Sequence, residues 1–170
     1  VRDAGLLPDS KPLTNPGRKL TPKEHDEEAQ DLTPEEATRY RAMVARVNFL
    51  SSDRPDISYT VKELCRSMHQ PTSKDTDALK RLARYLKGRP RMVIHFGWQA
   101  TPDSLTTLTD SDLAGCVSTR KSTSGGVVMR GTHLLKHWSS TQATVALSSA
   151  EAELISIVQG ASAWKSRVLR

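Results

Sequence analysis

Leu105-Thr106-Thr107-Leu108-Thr109-Asp110-Ser111-Asp112 is a short run of leucine and β-branched threonine that stops on two carboxylates. Such a run bounded by turn residues reads as a strand. Roughly forty residues later, Ser148-Ser149-Ala150-Glu151-Ala152-Glu153 places a glutamate three positions after a serine, the reciprocal N-terminal capping pattern of a helix. Leu154, Ile157, Val158, Ala161 and Val168 then recur at helical spacing, which predicts that their side is the buried one. Around the strand lie further β-type runs at Met92–Trp98, Gly126–Met129 and Leu134–Trp138, divided by turn-rich segments such as Ser122-Thr123-Ser124-Gly125-Gly126. The expectation is a small antiparallel sheet followed by a helix.

Upstream the texture is helical. Thr33-Pro34-Glu35-Glu36 combines a capping threonine, a proline at the first helical position and a glutamate three residues on, ahead of Tyr40, Met43, Val44, Val47 and Leu50. A second helix is predicted after Arg54-Pro55-Asp56, with Ile57, Val61, Leu64, Cys65 and Met68 on one face and Pro71 closing it. A third starts at Thr72 or Ser73, carries Leu79, Leu82, Ala83 and Leu86, and stops at Gly88. Before these, residues 1–33 hold four of the nine prolines and the acidic run Glu24, Asp26, Glu27, Glu28, and read as loop or linker with little fixed structure. The resulting division is 1–33 linker, 34–91 helical segment and 92–170 sheet plus helix.

With 170 residues, the chain is too short for a large multidomain enzyme. It is 36% hydrophobic and 26% charged, enough apolar material for a modest core, and its net charge of +6 and pI near 9.5 favour a polyanionic partner. Cys65 and Cys116 have no partner spacing, which argues against a disulfide framework or a cysteine metal site and for a reducing intracellular setting. No apolar run approaches the roughly 18 residues of a membrane span. The chain opens on Val1 and stops at Arg170 inside a periodic helical pattern, so it reads as a piece of a longer protein.

Residues 92–170 contain five carboxylates, four of them paired as Asp110/Asp112 and Glu151/Glu153, with none between Leu113 and Ala150, where Arg120, Lys121, Arg130 and Lys136 supply positive charge. Carboxylates gathered inside a basic surface suit hard divalent cations, which two-metal nucleases use to activate water and stabilise the leaving oxygen. Glu151 has a capping role to fill, Asp112 reads as a turn residue, and Asp110 at the strand end is the better site candidate. For Glu153, on the rim of the apolar face, spacing leaves solvent exposure and a specific task equally open. His133 and His137 lie on a strand with no further ligand nearby and read as structural. Six of the twelve residues from Lys80 to Arg91 are basic; Lys80, Arg81, Arg84 and Lys87 are either a solvated helix face or a phosphate contact. A non-catalytic basic binding module is therefore the alternative to a nuclease.

In order along the chain, Tyr40-Arg41-Ala42-Met43-Val44, Arg54-Pro55-Asp56-Ile57, Arg81-Leu82-Ala83-Arg84-Tyr85-Leu86-Lys87-Gly88, Thr109-Asp110-Ser111-Asp112, Arg120-Lys121-Ser122-Thr123-Ser124-Gly125 and Ala146-Leu147-Ser148-Ser149-Ala150-Glu151-Ala152-Glu153 resemble the C-terminal part of the pol polyprotein of copia-type retrotransposons. The resemblance covers roughly residues 36–170. It implies an α/β fold: a helical connection between polymerase and nuclease, then the first half of a ribonuclease H domain with antiparallel strands and the first helix. It further implies that Asp110 and Glu153 hold two Mg2+ ions and cleave the RNA strand of an RNA–DNA hybrid. Lys80, Arg81, Arg84, Lys87, Arg120 and Lys121 would contact nucleic acid, the rest of the polyprotein would be the protein partner, and the setting would be a cytoplasmic particle or the nucleus. The family's third aspartate would follow Arg170, so the chain by itself is expected to be inactive and, with one side of its sheet exposed, unstable or prone to associate. The family's usual tryptophan after the first aspartate pair is Leu113 here, its tyrosine after the second glutamate is Leu154, and basic residues after Trp138 are replaced by Ser140 and Thr141.

Overall fold

The computed structural model describes residues 6–7, 9–18 and 28–168, with side chains through residue 163. The chain forms two compact units that divide between Met92 and Val93.

In the first unit, α1 (Pro34–Leu50), a 3-10 turn (Pro55–Ile57), α2 (Ser58–Arg66) and α3 (Ser73–Gly88) follow one another. The first and third helices start in capping boxes: Thr33 exchanges side-chain and backbone bonds with Glu36, and Thr72 does so with Asp75. The core is Tyr40, Val44, Ile57, Val61, Leu64, Leu79, Leu82 and Tyr85, with Met43, Val47, Cys65 and Met68 packed against it. Tyr40 is buried and its hydroxyl donates to the Leu64 carbonyl at 2.8 Å, tying α1 to α2. Burial raises the pKa of that phenol. The second helix ends at Arg66, earlier than Pro71 would have stopped it, because the main chain already turns at Ser67 and Met68.

The Arg-Pro-Asp-Ile motif is the clasp of this unit. Arg54, only 5% exposed, makes two parallel bonds to Asp56, Nε to Oδ1 at 2.9 Å and Nη2 to Oδ2 at 2.8 Å. The Tyr85 hydroxyl on α3 donates to the same Oδ2 at 2.7 Å. The guanidinium bonds hold the Asp56 carboxyl below the usual carboxylate range against the opposing effect of burial.

The described residues of the N-terminal stretch form no helix or extended strand, but several of their main-chain groups are bonded. Leu13 N–H donates to the Arg84 carbonyl at 3.4 Å, Leu32 N–H to the Pro71 carbonyl at 3.3 Å and Ser73 N–H to the Gln30 carbonyl at 2.9 Å, while Asp31 bridges Thr72. These backbone groups find partners on α3 and on the two residues that precede it. Of the acidic run, Glu24, Asp26 and Glu27 lie outside the described residues.

The second unit is a three-stranded antiparallel sheet in the order β1 (Thr106–Ser111), β2 (Thr123–Arg130), β3 (His133–Thr141), with α4 (Ser149–Val168) packed on it. The mixed α/β class and the antiparallel sheet agree with the sequence reading. Three details do not. The run Met92–Trp98 forms no strand: Val93 and Trp98 are exposed, and the segment is tied down by side chains instead of a ladder. His133 Nε2 donates to the Gly97 carbonyl at 2.8 Å, and its ring meets Phe96 edge-on. Gln99 Nε2 donates to the Arg130 carbonyl at 2.9 Å.

The second detail is the small-residue stretch Thr123-Ser124-Gly125-Gly126, which is strand where turn was predicted. Gly126 pairs with Trp138 across the ladder, and the Trp138 ring occupies the space a side chain at 126 would need. Here the missing side chain serves packing, not a turn. The third detail is the orientation of α4. Ala152, Ser156 and Gly160 face the sheet; a Cβ on Gly160 would lie 2.6 Å from Thr109 Cγ2 and 3.0 Å from Thr107 Cγ2. Small residues let helix and sheet approach closely, and the apolar positions Leu154, Ile157 and Val158 point outward, where Leu154 is 60% exposed. The side chain of Val168 lies outside the described residues.

Candidate functional site

Strand β1 delivers Asp110 one residue before its end. Its burial alternates, with Thr107, Thr109 and Ser111 half-buried towards α4 and Thr106, Leu108 and Asp110 exposed. Helix α4 delivers Glu153 in its first turns. The two meet at the backbone: Ser111 N–H donates to Glu153 Oε1 at 3.3 Å, so the Glu153 carboxylate is seated beside the residue that follows Asp110. From the other direction, Ser156 Oγ on α4 donates to the Asp110 carbonyl at 3.0 Å.

The other two carboxylates are occupied with local structure. Glu151 N–H donates to Ser148 Oγ at 3.1 Å, and Glu151 Oε2 accepts from Leu147 N–H at 2.7 Å, closing the cap of α4. Replacing Glu151 with alanine is expected to lower stability by about 1 kcal/mol in a urea melt. Asp112 exchanges bonds with Thr123 at the open end of the β1–β2 ladder, its backbone N–H to the Thr123 carbonyl and its Oδ1 from the Thr123 N–H at 2.5 Å.

The connection from β1 to β2 is a fixed turn. Ala114 N–H donates to the buried Ser122 Oγ at 3.0 Å, and Cys116 N–H to the Lys121 carbonyl at 3.1 Å. Cys116 Sγ takes bonds from the N–H and the hydroxyl of Thr119. Arg120 sits exposed in the left-handed backbone region at φ 56°, its N–H on the Cys116 carbonyl at 2.8 Å. That conformation is uncommon for a residue with a side chain.

On α3 the basic residues are distributed differently from a free cationic face. Arg84 Nε donates to the Lys11 carbonyl at 2.8 Å, Lys87 Nζ to the Ser10 carbonyl at 2.9 Å, and Lys80 Nζ lies 3.4 Å from Asp77 Oδ1. Arg81 Nε is buried. Two of the four predicted phosphate contacts thus hold the N-terminal stretch in place, a use the local charge pattern could not reveal. His133 is held by Gly97 and Phe96, and among the described residues no group of three His, Cys, Asp or Glu side chains converges as a metal site.

Sequence reasoning missed Gln142, Ser124 and Ser156, all buried. Gln142 Nε2 donates to Ser124 Oγ at 2.9 Å and to the Ala152 carbonyl at 2.8 Å, next to Glu153. Their signal was a glutamine and serines interrupting otherwise apolar or strand-forming stretches.

The chain is similar to several longer proteins. It is 38% identical over 153 residues to the retrovirus-related Pol polyprotein from transposon RE1 of Arabidopsis thaliana, and 39% identical over 125 residues to that from transposon RE2 of the same plant. These alignments take in 90% and 74% of the chain. The chain belongs to the Pol polyproteins of copia-type transposons. An uncharacterized mitochondrial protein of Arabidopsis thaliana is 35% identical over 156 residues, 90% of the chain. The Pol segment described here spans 61% of that mitochondrial protein and 10% and 8% of the two polyproteins. No family model matches it, and no solved structure does. Among the described residues, no helix is long and apolar enough to cross a membrane.

Proposed function

We propose that this Pol segment joins the polymerase region to a ribonuclease H domain and opens that domain, so that in the polyprotein it takes part in hydrolysing the RNA strand of RNA–DNA hybrids. The observation that supports this reading is the seat of Glu153 on the amide of Ser111, the residue that follows Asp110 at the end of β1. Asp110 and Glu153 offer hard oxygen donors, and Mg2+ is commonly held by one or two carboxylates with waters and substrate phosphates completing its shell. Oxygen donors of this kind suit Mg2+, and Asp110 and Glu153 would be the residues that hold it. Bound there, the metal would supply an activated water and charge stabilisation at the leaving oxygen.

The chain's own contribution is positioning. The Ser111 amide fixes one oxygen of Glu153 and leaves the other for a ligand, while Asp110 stands exposed at the strand end. Arg120 and Lys121, on the ordered turn that leaves β1, offer positive charge to a phosphate backbone from the same end of the sheet.

The test is cleavage of a labelled RNA–DNA hybrid by the polyprotein with Mg2+. Asp110→Asn and Glu153→Gln are each expected to slow cleavage by more than about a hundredfold, the upper end of what losing an outer-shell partner of a metal does. Unchanged cleavage in both variants would sink the proposal. Hybrid binding that ignores Mg2+ and falls steeply with salt, without cleavage, would favour a basic binding module instead.

A further inference from the structure

Glu153 is bracketed. Gln142, 1% exposed and the first residue after β3, bonds through its backbone N–H to the Ser122 carbonyl at 2.8 Å. Its Nε2 reaches Ser124 Oγ on β2 and the carbonyl of Ala152, the residue before Glu153. Three residues after Glu153, Ser156, fully buried, bonds the Asp110 carbonyl on β1. The loop of contacts closes within the sheet, since Ser124 pairs with Ser111, whose N–H carries the Glu153 carboxylate.

A buried amide is a poor choice for stability alone. Gln142 Oε1 and Ser111 Oγ are both buried with no protein partner among the described residues, and an unsatisfied buried polar atom is unfavourable. An apolar side chain of similar volume would remove the unpaired Oε1 but would also take away the bonds to Ser124 Oγ and the Ala152 carbonyl. Leu154, Ile157 and Val158 of α4 point outward and Ile155 is only half-buried, so the seat of the helix on the sheet leans on the small residues Ala152, Ser156 and Gly160 and on these directed bonds.

We propose that Gln142 and Ser156 are positioning residues, clamping α4 to the sheet on either side of Glu153 so that its carboxylate stays on the Ser111 amide beside Asp110. The inference rests on the reading of Asp110 and Glu153 as metal-holding groups only in its second readout.

The experiment uses the full chain, 15N-labelled, as wild type, Gln142→Met and Ser156→Ala. The first readout is hydrogen exchange at the Ser111 amide; the second is Mn2+-induced broadening of the amides of Asp110 and Ser111. Gln142→Met is expected, where it folds, to exchange the Ser111 amide about tenfold faster relative to the slowest amides of β2 and to need about tenfold more Mn2+. Ser156→Ala should move both readouts in the same direction, and it decides the matter should Gln142→Met fail to fold. Ser111 protection and Mn2+ response both unchanged in the folded variants would overturn the proposal. A Mn2+ response that survives Asp110→Asn in the otherwise unchanged chain would instead overturn the metal reading and leave the exchange result to judge the clamp.

Discussion

Gly126→Val is expected to unfold the sheet unit. A Cβ at 126 would fall inside contact distance of the Trp138 ring carbons Cζ2 and Cη2 and 2.8 Å from the Leu108 carbonyl oxygen. The half-buried ring lies on the α4 side of the sheet, where a Cβ on Gly160 would come within 3.8 Å of its Cη2, and the carbonyl belongs to the β1 backbone. Neither gives way cheaply. Overpacking a well-filled core costs about 1–3 kcal/mol, and a branched side chain meeting both a ring and a main-chain atom belongs at or beyond the upper end. Urea denaturation followed by circular dichroism measures it. The double variant Gly126→Val with Trp138→Ala should recover part of the loss, because the two residues compete for one space. A single variant as stable as wild type would show that the ring has another place to go.

Asp56→Ala should cost the helical unit about 3 kcal/mol, the lower end of what breaking a buried ion pair from one side does. The loss is less about the pair's attraction than about what is left behind: a guanidinium that is 5% exposed without its bidentate partner, and a Tyr85 hydroxyl without its acceptor. Replacing Arg54 by methionine in the same chain should recover much of it, since the orphaned charge is then gone. The pair also sets an acid limit. Because the folded carboxyl titrates below its unfolded value, its contribution is fully present above the ordinary carboxylate range near pH 4 and is lost as pH falls through the lower folded value. Stability of wild type should therefore drop on acidification below about pH 4 more steeply than that of Asp56→Ala, measured by the urea midpoint at each pH.

Helix starts were legible because their signals are local. Thr33 with Glu36 and Ser148 with Glu151 satisfy backbone donors within one turn, so the residues that announce the element also build it. Glu153 was only half legible: spacing left its role open, and what the structure adds is a partner 42 positions away in the chain. The misread elements share a cause. A hydrophobic period marks an apolar face but not what covers it, and on α4 the buried side is the one with the smallest side chains. The run Met92–Trp98 has strand composition, but no backbone partner lies alongside it in the sheet order. Arg84 and Lys87 read as free cations because their partners, two carbonyls more than seventy residues earlier, carry no signature in the sequence.

The contrast between two tryptophans gives the sheet unit its own optical reporter. Trp98 is 95% exposed, whereas the Trp138 ring lies over Gly126 with Gly160 beside it. Emission from the first is red-shifted and open to iodide; emission from the second is bluer and shielded for as long as α4 stays on the sheet. With Trp164 changed to phenylalanine, the blue component that iodide fails to quench becomes a direct reading of how much of the population holds that helix in place.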